Sequence, residues 1–456
     1  MRELVRRNLR FFLIFSAVAL LLRLVFIFKF PGVVTDSFVY GDIAKNWLQY
    51  GIYGLSGTPD ISPTYIRLPG YPAFLAAVWA IFGLEHYRAV LFVQMFVDLG
   101  TCFLCADMAL RVIGGRSAKA AFALTVLCPF LADYSAAALT ETLEIFFTAL
   151  AFDLAIRALK NQSLRYWAGC GAACAAATLL RPDGALIAIA IEIYLGWKLV
   201  FSSRPSGRGR PPLHLLKSGL LLAVIVIAPL VPWTIRNWRV FHRFQPLAPR
   251  YANEENEFVP MGFNRWTKTW MADYVSVEEI YWAVPGTEID PEKLPFRAFD
   301  SPQQQTQTVA AIDKYNQVLH FTPQLDANFE ALAVQRIHAH PLRYYIGLPL
   351  VRILDMWVRP RTGMLPSDSR WWEFNDDPQW SALAVTLGVF GIFYVACGLV
   401  GWMRSRGVAF AGLLVLFVVL RSGFLGSLEN PEPRYTLEMY PIVIVFAACA
   451  LAADRD

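Results

Sequence analysis

The sequence predicts an all-α polytopic membrane protein, and its composition, apolar stretches and cysteines support this prediction. Of its 456 residues, 56% are hydrophobic and 17% are charged, whereas soluble domains have ~25% charged residues. Ten stretches approach the ~20 apolar residues that a helix needs to cross a bilayer. They are 11–30, 88–110, 118–137, 140–158, 166–180, 185–201, 218–235, 380–402, 408–425 and 438–453. All seven cysteines lie in apolar runs, so no disulfide framework is expected.

The first apolar stretch, 11–30, is predicted to be an uncleaved helix rather than a signal peptide. It is long, contains Arg23, and has no small-residue cleavage site before Pro31. The net charge of +5 is spread along the chain, which does not indicate nucleic-acid binding. Cys102 and Cys105 lie mid-span without another metal-binding side chain nearby in sequence, so no metal site is expected there.

The basic residues of the short loops predict the orientation of these spans. Lys and Arg gather within 2–10, 111–119, 157–165, 204–217 and 404–406. Placing all five groups on the cytoplasmic side puts both termini inside and leaves 31–87 and 236–378 outside. The chain then divides into a transmembrane module with its outer loop (1–235), an extracytoplasmic region (236–378) and C-terminal transmembrane helices (379–456).

Two apolar segments are predicted not to cross the membrane. Residues 69–84 would span only about 24 Å at 1.5 Å per residue, and counting them as a span would move the basic loop 111–119 outside. Residues 341–358 contain Arg343, Arg352 and Asp355, which favours an amphipathic helix on the outer surface. Two further outer helices are expected, near 302–319 and from 323 to 339, because Ser-Pro and Thr-Pro pairs mark their starts.

The first outer loop carries the clearest candidate for catalysis, Asp36. Thr35-Asp36-Ser37 precedes a helix with one apolar stripe, made of Tyr40, Ile43, Ala44, Trp47 and Leu48, which suits a helix lying at the membrane interface. Gly51 ends this helix. Two interpretations of Asp36 stay open: it caps the helix, or it is a catalytic carboxylate at the membrane surface.

Other charged side chains are predicted on the same outer face. They are Arg67, Arg88, Glu141 at the start of the fourth span, Arg181 in Arg181-Pro182-Asp183, and Arg434-Tyr435 before the last span. Structural interpretations remain open for them, since Glu141 complements the dipole of its helix and Arg434 can pair with Glu429 or Glu432. Acids can activate a hydroxyl and cations can hold a phosphate. Because nucleotides are not available outside, a phosphate donor would arrive attached to a lipid.

An ordered set of motifs resembles the GT-C glycosyltransferases, in the group of protein O-mannosyltransferases and aminoarabinose lipid A transferases. The set is Asp36-x-x-x-Tyr40, Ala44, Gly51, Tyr53, Arg67-x-Pro69-x-Tyr71-Pro72, Thr140-Glu141, Arg181-Pro182, Arg236-Asn237-Trp238 and Arg434-Tyr435 with Pro441. The resemblance covers the first 240 residues well and the last 80 weakly, and region 250–378 matches nothing.

The resemblance implies an inverting transfer from a polyprenyl-phosphate sugar. Asp36 matches the general base, Glu141 an acidic position near the acceptor, and Arg434 with Tyr435 the contact to the donor phosphate. Arg88 resembles another phosphate contact, and Tyr40, Arg67 and Arg181 complete the expected substrate-binding set. Some members have two adjacent acids where this chain has Asp36-Ser37; a divalent metal is therefore not supported and no cofactor is expected.

The leading hypothesis is thus a membrane glycosyltransferase of a bacterial plasma membrane with its active site facing outward. Its partners would be a polyprenyl-phosphate sugar and an acceptor that is a protein, a lipid or a glycan. A transporter or flippase of lipid-linked glycans is the main alternative, although no internal repeat supports it. A non-catalytic envelope scaffold is the second alternative.

Overall fold

The computed structural model describes residues 1–57, 60–201, 213–254, 256–374 and 377–452. The predicted cytoplasmic linker 204–212 therefore lies outside the described residues. The chain forms two compact units. One contains Met1–Glu254, Phe393–Leu420 and Leu437–Asp456, and the other contains Glu255–Ile392 and Arg421–Thr436.

The first unit is helical apart from one short hairpin in its first outer loop. Its elements are α1 (Arg2–Arg7), α2 (Leu9–Lys29), α3 (Thr35–Tyr50), β1 (Gly54–Leu55), β2 (Ser62–Pro63), α4 (Gly70–Phe82), α5 (Tyr87–Val112), α6 (Gly115–Leu127), α7 (Pro129–Ser135), α8 (Glu141–Asn161), α9 (Leu164–Leu180), α10 (Ala185–Phe201), α11 (Leu213–Ile227) and α12 (Leu230–Phe241). The strands pair antiparallel, with Gly54 opposite Pro63.

The second unit consists of short helices and the ends of two long ones. Its helices are α13 (Met261–Lys268), α14 (Tyr274–Ser276), α15 (Pro302–Val318), α16 (Pro323–Ala339) and α17 (Leu348–Val358). Two helices, α18 (Pro378–Arg404) and α19 (Ala411–Gly426), contribute residues to both units, and α20 (Tyr440–Ala452) belongs to the first.

Six helical segments among the described residues are long and apolar enough to cross a membrane. They are Leu9–Lys29, Tyr87–Val112, Pro182–Phe201, Leu213–Phe241, Pro378–Arg404 and Pro433–Ala452. The prediction of an all-α polytopic membrane protein is confirmed. The other four predicted spans are helical too, as α6 with α7, α8, α9 and α19, but they are shorter or more polar. Residues 70–82 form an apolar helix below span length.

A buried ion pair explains the arginine in the first span. Pro129 lacks an N–H, so it cannot continue the hydrogen bonding of α6, and the chain breaks between α6 and α7. Arg23 of α2 donates to the carbonyl oxygens of Thr125 (3.2 Å) and Val126 at this break. It also donates from Nε to Oδ2 of Asp98 on α5 at 2.7 Å. One guanidinium group therefore joins three helices.

The Asp98→Ala variant is expected to lose about 3–5 kcal/mol of folding free energy, because it leaves the buried charge of Arg23 without its counter-ion. Thermal unfolding of the purified protein in detergent measures the effect. The matched control is Glu3→Ala, which removes an exposed pair with Arg7 and should change stability little. Equal melting temperatures for Asp98→Ala and wild type would show that the pair does not stabilise the fold.

The outer helices of the second unit match their prediction. Ser301 and Thr322 cap α15 and α16 through hydrogen bonds from the backbone N–H groups of Gln304 and Leu325. Their inner faces pack around an aromatic core that includes Trp266, Trp270, Tyr315, Phe321 and Phe329.

The segment 341–358 is helical and amphipathic, but one of its charges lies inward. Leu350 and Leu354 of α17 are exposed, whereas Arg352 is buried. Its guanidinium donates to the carbonyl oxygens of Lys268, Met271 and Gly426. Arg352 therefore satisfies backbone acceptors inside the unit rather than facing solvent.

Candidate functional site

Asp36 lies in the first turn of α3 and does not cap it. Val34 is the N-cap residue, with an extended backbone, and its N–H donates to the hydroxyl oxygen of Ser37 at 3.1 Å. The capping interpretation of Asp36 is therefore wrong. Its Oδ1 instead accepts a hydrogen bond from Nη2 of Arg67 at 3.0 Å, and the Asp36 side chain is 40% exposed. Asp36 is thus oriented by Arg67 and accessible to solvent.

Tyr40 lies one turn after Asp36, and four charged side chains surround it. Burial raises the pKa of Tyr40 to about 12, and the nearby charges of Arg67, Asp36, Arg181 and Glu141 also act on its hydroxyl. The guanidinium carbon of Arg67 lies 5.6 Å from the centre of the Tyr40 ring. The hydroxyl therefore stays protonated at neutral pH and can serve as a hydrogen-bond donor.

A close approach of α4 to α9 positions the basic residues. A Cβ atom on Gly70 would lie 2.6 Å from the carbonyl carbon and oxygen of Leu179, so only glycine allows this contact. Arg67 lies three residues before α4, and Arg181 immediately follows α9. The contact at Gly70 thereby brings together the two helix ends beside which these arginines lie, and both arginine charges act on the Tyr40 hydroxyl.

Arg181 is surrounded by carboxylates. Its nitrogens lie 3.9 Å from Glu141, 3.7 Å from Glu144 and 3.4 Å from Asp183. Glu141 and Glu144 are each 3% exposed. A single guanidinium group thus faces three acids where α8 begins and α9 ends, and the region contains more carboxyl groups than the predicted members suggest.

Buried acids that were not singled out from the sequence include Glu144, Glu438 and Asp133. Glu144 lies three residues after Glu141, the spacing that places side chains on one helix face, and this signal could have found it. Glu438, which is 1% exposed, interacts with Glu144. Asp133 is 2% exposed, and within the described residues neither of its carboxylate oxygens has a hydrogen-bond partner. Because a carboxylate in an apolar stretch is energetically costly, such residues are candidates for a functional role.

Arg88, Asp42 and Arg236 were also noted in the sequence, and the structure shows what each contacts or whether it is exposed. Arg88 is exposed at the start of α5. Asp42 accepts from the N–H and the hydroxyl of Ser56, both at 2.6 Å, and so holds the hairpin to α3. Arg236 donates to the carbonyl oxygens of Thr64 and Tyr53 at 2.6 and 2.7 Å. Among the described residues, no group of three His, Cys, Asp or Glu could hold a metal ion.

In the second unit, Glu432 fixes both residues predicted to contact a phosphate. Its Oε2 lies 2.6 Å from Nε of Arg434, and its Oε1 accepts from the Tyr435 hydroxyl at 2.5 Å. The predicted ion pair of Arg434 with Glu432 therefore exists. It is not a surface pair, because the side chains are 18% and 3% exposed.

Two buried arginines donate hydrogen bonds to Tyr435 and Thr436, next to Arg434 in the chain. Arg361 donates to the hydroxyl of Thr436 from Nε and Nη2, at 3.2 and 2.7 Å. Arg421 donates to the carbonyl oxygen of Tyr435 at 3.3 Å. Neither arginine was predicted, because the sequence does not show which of its many arginines approach this loop.

The Glu432→Gln variant is expected to raise the KM for a phosphate-bearing donor about tenfold, since a hydrogen bond to a charged group contributes ~1.5–3 kcal/mol. Loss of the carboxylate frees Arg434 and Tyr435 from their common anchor. The control is Glu330→Gln, which removes the charge of an exposed partner of Arg265. Steady-state kinetics measure both variants.

A double-mutant cycle separates positioning from general stability in this loop. If Glu432 acts through Arg434, adding Glu432→Gln to Arg434→Ala should cost much less than Glu432→Gln alone. Additive effects, or an unchanged KM in Glu432→Gln, would contradict the positioning role.

These features define a helical membrane protein with an acid–guanidinium–tyrosine cluster beside the start of α3. Such a cluster can take a proton from a hydroxyl and hold an anionic or polar substrate. Residues 63–233 match a family described as dolichyl-phosphate-mannose-protein mannosyltransferase. No curated protein matches the chain significantly in sequence.

Solved structures of an archaeal oligosaccharyltransferase share the fold. The archaeal oligosaccharyltransferase AglB from Archaeoglobus fulgidus, in complex with an inhibitory peptide and a dolichol-phosphate, aligns over 96% of this chain at 14% identity with a TM-score of 0.51. Its apo form aligns over 97% at 14% identity with a TM-score of 0.52. ArnT from Cupriavidus metallidurans, bound to undecaprenyl phosphate, aligns over 96% of this chain and 77% of its own at 15% identity, with a TM-score of 0.42.

The chain spans about half the length of the AglB structures that it matches, which it covers to 50%. The chain has the fold of the GT-C glycosyltransferases, and the resemblance predicted from its motifs is confirmed. The family match and the fold both support the glycosyltransferase class expected from the sequence.

Proposed function

We propose that this protein is a membrane glycosyltransferase that moves a sugar from a polyprenyl-phosphate donor to an acceptor hydroxyl or amide. One observation carries the proposal: the buried Tyr40 hydroxyl lies within reach of the charges of four side chains, Asp36, Glu141, Arg67 and Arg181. Two acids and two guanidinium groups around one neutral donor suit a sugar, whose hydroxyls need both acceptors and donors. A scaffold protein has no need for such a set of charges.

In the proposed reaction, Asp36 accepts the proton of the acceptor as the acceptor attacks the anomeric carbon. The bond from this carbon to the donor phosphate breaks on the opposite face, so the configuration inverts. Arg434 and Tyr435 stabilise the charge that grows on the departing phosphate. Polyprenyl phosphate leaves as a stable anion, so no strong general acid is required.

Arg67 has a positioning role in this proposal. Its hydrogen bond fixes one oxygen of Asp36 and so orients the carboxylate. Glu141 and Arg181 are assigned to the acceptor, and Arg88 to a further donor contact. A dolichol-phosphate and a peptide bound to AglB support a lipid-phosphate donor, while protein, lipid and glycan acceptors all fit the proposed chemistry.

The site is proposed to face outward from the plasma membrane of a bacterium. Single cysteines in a cysteine-free background test this topology, which rests on the asymmetry of Lys and Arg. Ser56→Cys and Ser301→Cys should react with an impermeant thiol reagent on intact cells. Ser206→Cys, in the segment outside the described residues, should not react. Labelling at position 206 would reverse the assignment.

Transferase and flippase activities can be separated in detergent, where no two sides of a membrane exist. The purified full chain is incubated with a polyprenyl-phosphate sugar and an acceptor mixture, and released polyprenyl phosphate is measured. A transferase releases polyprenyl phosphate with multiple turnovers. Intact donor with wild-type protein, together with transport in proteoliposomes, would favour the flippase alternative.

A further inference from the structure

The second unit contains a groove of about 670 Å³, and none of the residues of the candidate functional site lines it. Its apolar wall consists of Val351 and Leu354 from α17 and of Val385, Val389 and Ile392 from α18. All five side chains are at least 40% exposed. The volume lies within the ~300–1,000 Å³ of ligand-binding sites.

The position of α18 indicates which environment covers this groove. α18 belongs to a segment long and apolar enough to span a membrane. Val385 and Ile392 lie about 10 Å and about 21 Å along the helix from Pro378, at 1.5 Å per residue. With Pro378 taken as the start of the span, the groove extends from the interface into the hydrocarbon core, which is ~30 Å thick. A lipid chain can therefore enter it from the side.

Paired charges also line the groove. Asp273 pairs with Arg297, and Asp355 lies 3.9 Å from Arg359. Burial raises the pKa of Asp355 to about 6 against the opposing charge of Arg359, so Asp355 is still mostly ionised at neutral pH. Two acids and two arginines give the groove no net charge, which suits a ligand carrying both signs.

Two features suit the phosphate of such a ligand. The side chain of Arg359 is only 8% exposed, and its guanidinium lies 5.7 and 5.5 Å from the ring centres of Tyr274 and Trp372. Trp371 also lines the groove. Within the described residues, which omit 375–376, its indole N–H has no hydrogen-bond partner. Buried indole donors usually have one, so a bound acceptor would satisfy it.

We propose that this groove binds a membrane phospholipid with a zwitterionic head group. One acyl chain lies along α17 and α18, the phosphate contacts Arg359 and Trp371, and the ammonium contacts Asp355. An anionic lipid, or a polyprenyl phosphate, would add net negative charge to a groove whose two arginines are already paired with Asp273 and Asp355. The charge pattern therefore favours a zwitterionic lipid over both.

Native mass spectrometry of the full chain, released from nanodiscs with equal phosphatidylethanolamine and phosphatidylglycerol, tests the proposal. We expect one retained phosphatidylethanolamine per protein. Val389→Trp fills the groove and should abolish retention, whereas Leu399→Trp, at an exposed position of the same helix outside the groove, should not. Arg359→Gln should weaken retention about tenfold, as expected for a lost hydrogen bond to a charged group.

Asp355→Asn tests the head-group assignment without filling the groove. It should reduce the preference for phosphatidylethanolamine over phosphatidylglycerol. Preferential retention of phosphatidylglycerol or of added polyprenyl phosphate by wild type would overturn the proposal. So would retention that Arg359→Gln and Val389→Trp both leave unchanged while their melting temperatures match that of wild type.

Discussion

Replacing Asp36 with asparagine is expected to lower glycosyl transfer by about 10²–10⁴, the usual contribution of general acid–base catalysis. Asparagine has nearly the same shape but cannot accept the acceptor's proton. The N-cap of α3 is Val34, supported by Ser37, so the substitution leaves the helix start intact. Turnover of a polyprenyl-phosphate sugar measures the loss, and a melting curve checks the fold.

Asp42→Asn is the matched control for Asp36→Asn. Asp42 lies on the same helix, and its carboxylate binds Ser56 rather than a substrate in the proposed mechanism. We expect Asp42→Asn to affect stability more than turnover, and Asp36→Asn to do the reverse. Near-wild-type turnover in Asp36→Asn would remove this carboxylate from the mechanism.

Replacing Arg434 with alanine is expected to lower kcat by about 10²–10³, the usual loss when one donor to a developing anion is removed. Charge grows on the leaving phosphate as the glycosidic bond breaks, so a guanidinium there acts mostly on the transition state. Arg434→Lys keeps the charge but loses the planar fork, and should be impaired less. Kinetics with donor and acceptor varied separately measure both variants.

Arg265→Ala provides the control for Arg434→Ala, because it removes an arginine of the second unit from an exposed pair with Glu330. Turnover should stay unchanged in this control. The donor kinetics of Arg434→Ala should change and its acceptor affinity should not. A change confined to acceptor affinity would show that Arg434 does not bind the donor phosphate.

Elements whose signals are local were predictable from the sequence. The long apolar runs predicted α2 and α5, and Ser301 and Thr322 predicted the starts of α15 and α16, because a helix cap depends on neighbouring residues. α3 begins at Thr35, earlier than predicted, because Thr35-Asp36-Ser37 was expected to precede the helix. The residue that caps it was not identified, because capping depends on a backbone angle that Thr35-Asp36-Ser37 does not specify.

Pairings between distant residues were not predictable. Arg23 was recognised as unusual in its span, but its partner Asp98 lies 75 residues away, and a single sequence carries no sign of that contact. The same holds for Arg361 and Thr436. The charged residues near Tyr40 were predicted from their residue types and positions in the chain. The spacing from Glu141 could also have indicated Glu144, whereas the distance of Glu144 from Arg181 depends on packing.

The proposed roles of Tyr40 and Asp36 can be tested by a structure of the full chain with a polyprenyl-phosphate sugar analogue in which carbon replaces the bridging oxygen. We expect the sugar to contact Tyr40, with its anomeric carbon facing Asp36 across a gap that holds one acceptor atom. The sugar hydroxyls should lie within about 3 Å of the charged groups around Tyr40. An analogue bound elsewhere, with Asp36 still paired to Arg67 and contacting neither sugar nor acceptor, would contradict these roles.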